Sequence, residues 1–294
     1  MKIVAFERNG VPGVGVLSDD GASVSPFELS AENAVGGVQI LADLAAQGKS
    51  APATGDAIPM AGLQLRAPMP RPKRNIFCVG KNYYDHAHEF ASSGFDSSAA
   101  AGAIPKAPIV FSKVPESVIA HGEPILQDPA VSTATDYEVE LGVIIGKGGR
   151  GITKENALDH VWGYTIINDA TARDLQGLHS QWLIGKSQDT FCPMGPIAVT
   201  AEEFNLDDAF VRTWINGELR QDSNTKLLIF DVQTTIATLA AGITLMPGDV
   251  IATGTPAGVG IGFKPPKYLV PGDVVRMEIE GIGVLENEVR TRGG

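Results

Sequence analysis

Residues Thr135–Gly146 read TDYEVELGVIIG. From Asp136 to Leu141 the stretch alternates acid and apolar residue, and at Val143, Ile144 and Ile145 it becomes wholly apolar. Alternation of period two is the pattern of a strand with one polar face. An unbroken apolar run marks a strand entering a core. Residues two apart on a strand share a face, so Asp136, Glu138 and Glu140 point the same way. The Cα atoms of the two glutamates are then roughly 6–7 Å apart. Two readings of that face compete. One is the solvated face of an edge strand. The other is one wall of a cation site, because like charges at the mouth of a core repel and are costly to desolvate. Hard divalent ions prefer carboxylate oxygens and relieve both penalties.

The rest of the chain favours strands. NIFCVG, APIVFSK, VWGYTIIND, PIAV, VRTWING and DVIATG are rich in β-branched and aromatic residues. DVVRMEIEGIGVLENEV continues the series, with Val275, Met277 and Ile279 on one side and Arg276, Glu278 and Glu280 on the other. Both PGD tripeptides, at Pro247 and Pro271, read as turns before strands. Helices are expected over AENAVGGVQILADLAAQG, closing near Gly48, over ENALDHV, and over DVQTTIATLAAG. Strands and helices do not alternate regularly, which disfavours a doubly wound parallel sheet. The expected class is α+β, mainly β: a folded roll or sandwich with peripheral helices.

Near the N-terminus, KIVAF and VPGVGVL suggest two strands joined by a turn. RAPMPRPKRN, Arg66–Asn75, carries three prolines and four basic residues and is the natural linker. The expected division is a small α/β unit at 1–70 and a larger domain at 71–294. Phe90–Pro105 is small, polar and without period, the composition of a surface loop.

Bulk composition removes several function classes. With a net charge of −11, the chain lacks the clustered cations that nucleic acid or an anionic membrane requires. No apolar run approaches the ~20 residues of a membrane span. The start, MKIVAFERNG, has too short an apolar run for a signal peptide. A cytoplasmic protein is expected. Cys78 and Cys192 have no CxxC spacing and read as two buried thiols. The GKS tripeptides at Gly48 and Gly185 lack the glycine five positions earlier that a phosphate loop needs; Asp43 and Ser180 stand there. GVGIG at Gly258 resembles a dinucleotide loop, but FKPPK follows where a helix should open. No G-x-S-x-G elbow is present.

Other residues bear on the carboxylates. Asp169 closes the apolar strand in GYTIINDATARD, as a third ligand or as the cap of the following turn. Arg173, Gln176 and Lys186 follow, suited to a carboxylate-bearing substrate, although Arg173 alone also reads as a surface ion-pair partner. In GKNYYDHAHE, His86 and Glu89 are three apart and would share one helical face. A glutamate beside a histidine orients the imidazole and raises its basicity, which makes a general base. The alternative is a polar loop with an exposed histidine. Zinc at His86-x-His88 lacks a further histidine at ligand spacing.

Taken in order, FCVGKNYYDHAHE, PIVFSK, TDYEVELGVIIG, GYTIINDATARD, GKSQDTFCPMGP and IATGTPAGVG resemble the fumarylacetoacetate hydrolase superfamily from about Asn75 onward. The resemblance implies a mixed β-sandwich-roll catalytic domain, a small N-terminal accessory domain and a homodimer. It implies Mg²⁺ or Mn²⁺, with Ca²⁺ as a substitute, on Glu138, Glu140 and Asp169. His86 and Glu89 then form the catalytic dyad on a segment that orders as a lid, with Lys186 beside it. Arg173, Gln176, Gly254 and Thr255 match positions lining the substrate site. Asp136 keeps a supporting role. The loop after Glu89 is longer than in many small relatives. The implied substrate is a 2-oxo acid. The expected reaction is C–C hydrolysis of an acylpyruvate of the fumarylacetoacetate or fumarylpyruvate kind. Oxaloacetate decarboxylation, or isomerisation or hydration of an unsaturated 2-oxo acid in aromatic catabolism, are alternatives on the same site. A non-catalytic, Ca²⁺-binding, β-rich protein is the alternative from another class.

Overall fold

Why the run behind Glu140 is apolar at successive positions is plain from its neighbours. The structure, a computed structural model, describes residues 1–92 and 104–293. In it, strand Val139–Ile145 is buried at every position. It pairs antiparallel with Val161–Asn168 on one side, Leu141 opposite Ile166, and with Val250–Ala252 on the other, Val143 opposite Ile251. Both faces are covered as well. Leu141 and Val143 join one apolar cluster with Val211, Met277 and Ile279, while Ile144 joins another with Ile3 and Met69. The edge-strand reading of this stretch therefore fails.

The strand is interior to a twelve-stranded sheet that also takes in the N-terminal segment. Lys2–Arg8 and Val11–Leu17 form a hairpin. Its turn, Asn9–Gly10, has φ +52° and +77°, the left-handed pair of a tight hairpin. Lys2–Arg8 then pairs with Cys192–Thr200, Ile3 opposite Ala198, so the N-terminal strands share one sheet with those that follow Asn75. Strands Glu218–Asn224, Phe210–Ile215, Val274–Ile279, Gly283–Thr291 and Ile125–Gln127 make a second sheet of five. The class is α+β and strand-dominated, as expected.

Four local expectations change. The first helix is two, Ala31–Ala34 and Gln39–Ala46. Gly37 breaks it, with φ +64° and a position where a Cβ would stand 2.0 Å from the Pro68 carbonyl oxygen. The proline-rich stretch is packed there: Val38 N–H donates to Pro68 O at 2.8 Å, and Met69 is fully buried. ENALDHV forms a 3₁₀ helix, Lys154–His160. The long C-terminal alternation folds into an antiparallel hairpin between Val274–Ile279 and Gly283–Thr291. Both PGD motifs are turns, with Gly248 at φ +85° and Gly272 at φ +96°. Both cysteines are buried and free. Most of the expected loop, residues 93–103, and with it the length of the implied lid, lies outside the described residues. Among those described, no helix is long and apolar enough to cross a membrane.

Candidate active site

Strand register assembles the carboxylates. Val139 lies opposite Asn168, so Glu138, just before one strand, neighbours Asp169, just after the other. The backbone fastens this corner: Asp169 N–H donates to Glu138 O at 2.9 Å, and Glu138 N–H donates to Asn168 Oδ1 at 3.1 Å. Glu140 enters from the second strand position. Each of the three residues offers a carboxylate oxygen within 4.8 Å of the others, and all three are buried.

Buried cations surround them. Lys186 Nζ donates to Glu138 Oε2 at 2.7 Å and to Asp169 Oδ2 at 2.6 Å. Arg173 Nη2 lies 2.6 Å from Glu138 Oε1, and its Nε donates to Asp136 Oδ2 at 2.8 Å. Lys113 Nζ donates to Asp169 Oδ1 at 2.7 Å and to the Ala170 and Lys186 carbonyl oxygens. Glu138, Asp169 and Asp136 are thus paired directly with Lys186, Lys113 and Arg173, all of them buried, and the pairing is uneven.

The imbalance falls on Glu140. Burial, then the Asp169 and Glu138 charges, push its carboxyl well above the usual carboxylate range. Among the described residues it has no ion pair, and its carboxylate accepts one hydrogen bond, from Gly254 N–H at 2.8 Å. Glu138 goes the other way. Burial raises its pKa, but Lys186 and Arg173 outweigh that and bring it down to about 2. Burial likewise opposes the Lys186 charge, and Asp169 and Glu138 overcome it, holding the ammonium above its ordinary value. Three buried carboxylates that bring oxygen atoms within 4.8 Å of one another fit a hard divalent cation.

The His–Glu pair arrives on helix Tyr84–Ser92. His86 Nδ1 lies 3.2 Å from Glu89 Oε2. That contact places the ring proton on Nδ1 and leaves Nε2 as the accepting nitrogen. His86, Glu138, Glu140, Arg173, Lys186 and Thr255 line one narrow cleft. Gln176 lines it too. Trp182, packed edge-on against Phe90 with centroids 6.0 Å apart, walls it with apolar surface. Gly254 has φ +102°, and a Cβ there would stand 2.6 Å from Asn82 Cβ, so the close approach that turns its N–H toward Glu140 requires glycine. Gln221 Nε2 donates to Thr255 Oγ1 at 2.8 Å and fixes it. A more open groove, between Leu126, Val131 and Arg292, is lined by none of these groups.

Of the residues singled out from the sequence, His86, Glu138, Glu140, Arg173, Gln176, Lys186 and Thr255 line this cleft, and Glu89, Asp136, Asp169 and Gly254 stand behind them, each bonded to a lining residue or to the loop beside it. Two further cations were not singled out. Lys113 ends the strand Ile109–Lys113, where a lysine looks like any surface lysine, yet it is fully buried. Lys81 is buried, lines the cleft and has φ +54°; its place in GKNYYDH, two residues before a helix, was the signal for it.

The family model for the fumarylacetoacetate (FAA) hydrolase C-terminal region matches residues 75–290. The oxaloacetate tautomerase YisK of Bacillus subtilis is 49% identical over 228 residues, 77% of this chain and 73% of that one. A fumarylacetoacetate hydrolase from the psychrophile Exiguobacterium antarcticum superposes with TM-score 0.85 at 42% identity, covering 99% of this chain and 100% of that one. A 5-carboxymethyl-2-hydroxymuconate delta-isomerase from Mycobacterium smegmatis superposes at 0.79 with 31% identity, over 99% of this chain and 100% of that one.

Proposed function

This chain belongs to the fumarylacetoacetate hydrolase superfamily, and from that premise we propose that it interconverts the keto and enol forms of a small 2-oxo diacid of the oxaloacetate type, with a divalent cation. The observation that carries this reading is one cleft lined by two glutamates of the acidic triad together with a paired histidine. Tautomerisation needs only a proton carrier and an electron sink. Two proteins similar to this chain, a tautomerase and an isomerase, agree with it.

Glu138, Glu140 and Asp169 would hold Mg²⁺ or Mn²⁺, both of which take oxygen ligands. When bound, such an ion supplies Lewis-acid stabilisation of negative charge at the 2-oxo oxygen. Arg173, Gln176 and Thr255 orient the substrate carboxylates. His86, held at Nδ1 by Glu89, takes the C3 proton on Nε2. The C–H electron pair becomes the C2=C3 bond, and the 2-oxygen ends protonated by His86 or solvent. Lys186 offsets the charge that develops meanwhile. A positioned base contributes about 10²–10⁴-fold, so His86→Ala should lower kcat by that factor while the cation still binds. Unchanged kcat in His86→Ala would falsify the base assignment.

Hydrolysis of an acylpyruvate is the second reading, favoured by the superposition on a fumarylacetoacetate hydrolase. There the same dyad would deprotonate a water that attacks the distal carbonyl, and the C–C bond would break to release an enolate. Assays of oxaloacetate tautomerisation and decarboxylation, and of acetylpyruvate and fumarylpyruvate cleavage, with Mg²⁺ and Mn²⁺, separate the two. Tautomerisation should be fastest. Faster acylpyruvate cleavage would overturn the first reading. Added stability from Ca²⁺ with no turnover of any 2-oxo acid would make the centre structural. A homodimer belongs to the same proposal, and sedimentation tests it.

A further inference from the structure

The GVGIG segment, unsuited to a dinucleotide, receives carboxylates instead. Gly258 N–H donates to Glu89 Oε1 at 3.0 Å. Gly260 N–H and Ile261 N–H donate to the two oxygens of Asp136 at 2.6 and 3.0 Å. A Cβ at Gly260 would stand 2.7 Å from Asp136 Oδ1, and one at Gly262 would stand 1.9 Å from Glu89 Oε1. Only bare backbone leaves room for both carboxylates. Asp136 also binds Arg173 Nε at 2.8 Å, and Arg173 lies 2.6 Å from Glu138. One unbroken series of contacts therefore runs from His86 through Glu89, the loop, Asp136 and Arg173 to Glu138.

We propose that the Gly258–Gly262 loop, tied down by Asp136, sets the His86–Glu89 pair against the acidic triad, with Asp136 as its positioning residue. Asp136 lines no part of the cleft and acts through its neighbours. A carboxylate that accepts three backbone N–H bonds and a guanidinium bond has its orientation fixed by charge-assisted contacts. The helix bearing His86 is only nine residues long, too short to persist alone, so its docking decides where the imidazole stands. Glu89 on the loop, and Phe90 on Trp182, are two of its docking points.

Gly262→Ala tests this with little disturbance. The backbone there is not left-handed, and the atoms nearest an added methyl all belong to Glu89. Amide exchange at Ala87–Phe90 should quicken by about tenfold or more as docking loosens. Mn²⁺ affinity and Tm should hold. kcat should fall by about 10²-fold, the usual result of a small misplacement. Asp136→Asn should quicken the same amides and also weaken Mn²⁺ binding by about tenfold, as loss of a group supporting a ligand does. If the Asn variant fails to fold, Arg173→Lys reads the same link, because lysine cannot span both carboxylates. In the double variant Gly262→Ala/Asp136→Asn, the loss of kcat should be smaller than the product of the single losses. Unchanged amide exchange in Gly262→Ala, unchanged Mn²⁺ affinity in the Asp136 or Arg173 variant, or a full product in the double variant would each overturn the proposal. The kcat readings rest on the reaction proposed above. A wild-type protein that turns over no 2-oxo acid would sink that reaction and leave exchange and Mn²⁺ binding to decide this one.

Discussion

Two stretches of this chain alternate charge with apolar residues, and they end in opposite environments. In Val274–Ile279, VVRMEI, every second residue is buried while Arg276 and Glu278 stay partly exposed. Those two pair at 3.0 Å near the surface, and Arg276 lies over the Trp214 ring. In Asp136–Glu140 every residue is buried, acids included. The first strand has one face against the core. The second leads into a strand with neighbours at both edges and apolar clusters on both faces. Surface charges keep most of their hydration, so pairing them gains little. Buried charges are costly unless they are paired, and Glu140, among the described residues, has only the Gly254 N–H bond to answer its charge.

The variants that probe this contrast range from large to small effects. Glu138→Gln should bring metal-dependent turnover to background, checked by assay across a Mn²⁺ titration. Residual activity restored by more Mn²⁺ would show that the triad tolerates two donors. Lys113→Met removes one partner of a buried ion pair and should cost about 3–5 kcal/mol in chemical denaturation. A loss near the surface-pair value would erase the distinction drawn here.

Glu140→Gln should act in reverse. Its carboxyl is raised by burial and by its acidic neighbours, so the folded state binds this proton more tightly than the unfolded chain does. Stability from that proton is complete below the unfolded pKa and is lost as pH rises toward the folded value. With chelator present at pH 7, the Gln variant should therefore melt a few degrees higher than wild type, and the gap should narrow toward pH 4. A variant that melts lower would mean that Glu140 is compensated by a group other than a cation. Smallest of all, Glu278→Gln should move stability by no more than about 0.5 kcal/mol and leave turnover alone.

Much of the fold was legible because its strands carry β-branched runs of the right period. What escaped depends on distant backbone. The break at Gly37 is made by the Pro68 carbonyl oxygen, thirty-one positions on. The hairpin inside the C-terminal alternation escaped because Val284–Val289 keeps the same period after the turn. Lys113 escaped for a related reason: nothing local separates a lysine that will meet Asp169 from one that will meet water. Asp136 was grouped with the glutamates by spacing, and its carboxylate was claimed instead by Gly260 and Ile261 amides, 124 and 125 residues away.

From sequence alone, then, come the chemical inventory and the strand that carries it: acids two apart before an apolar run, an aspartate at the end of another strand, a histidine and glutamate three apart. These are properties of residue type and period, which a chain has before it folds. Tertiary structure alone decided which acids lack a cationic partner. Charge balance in a dry interior is set by contacts between distant segments, and Thr135–Gly146 is written in the same alternation as a strand that simply faces water.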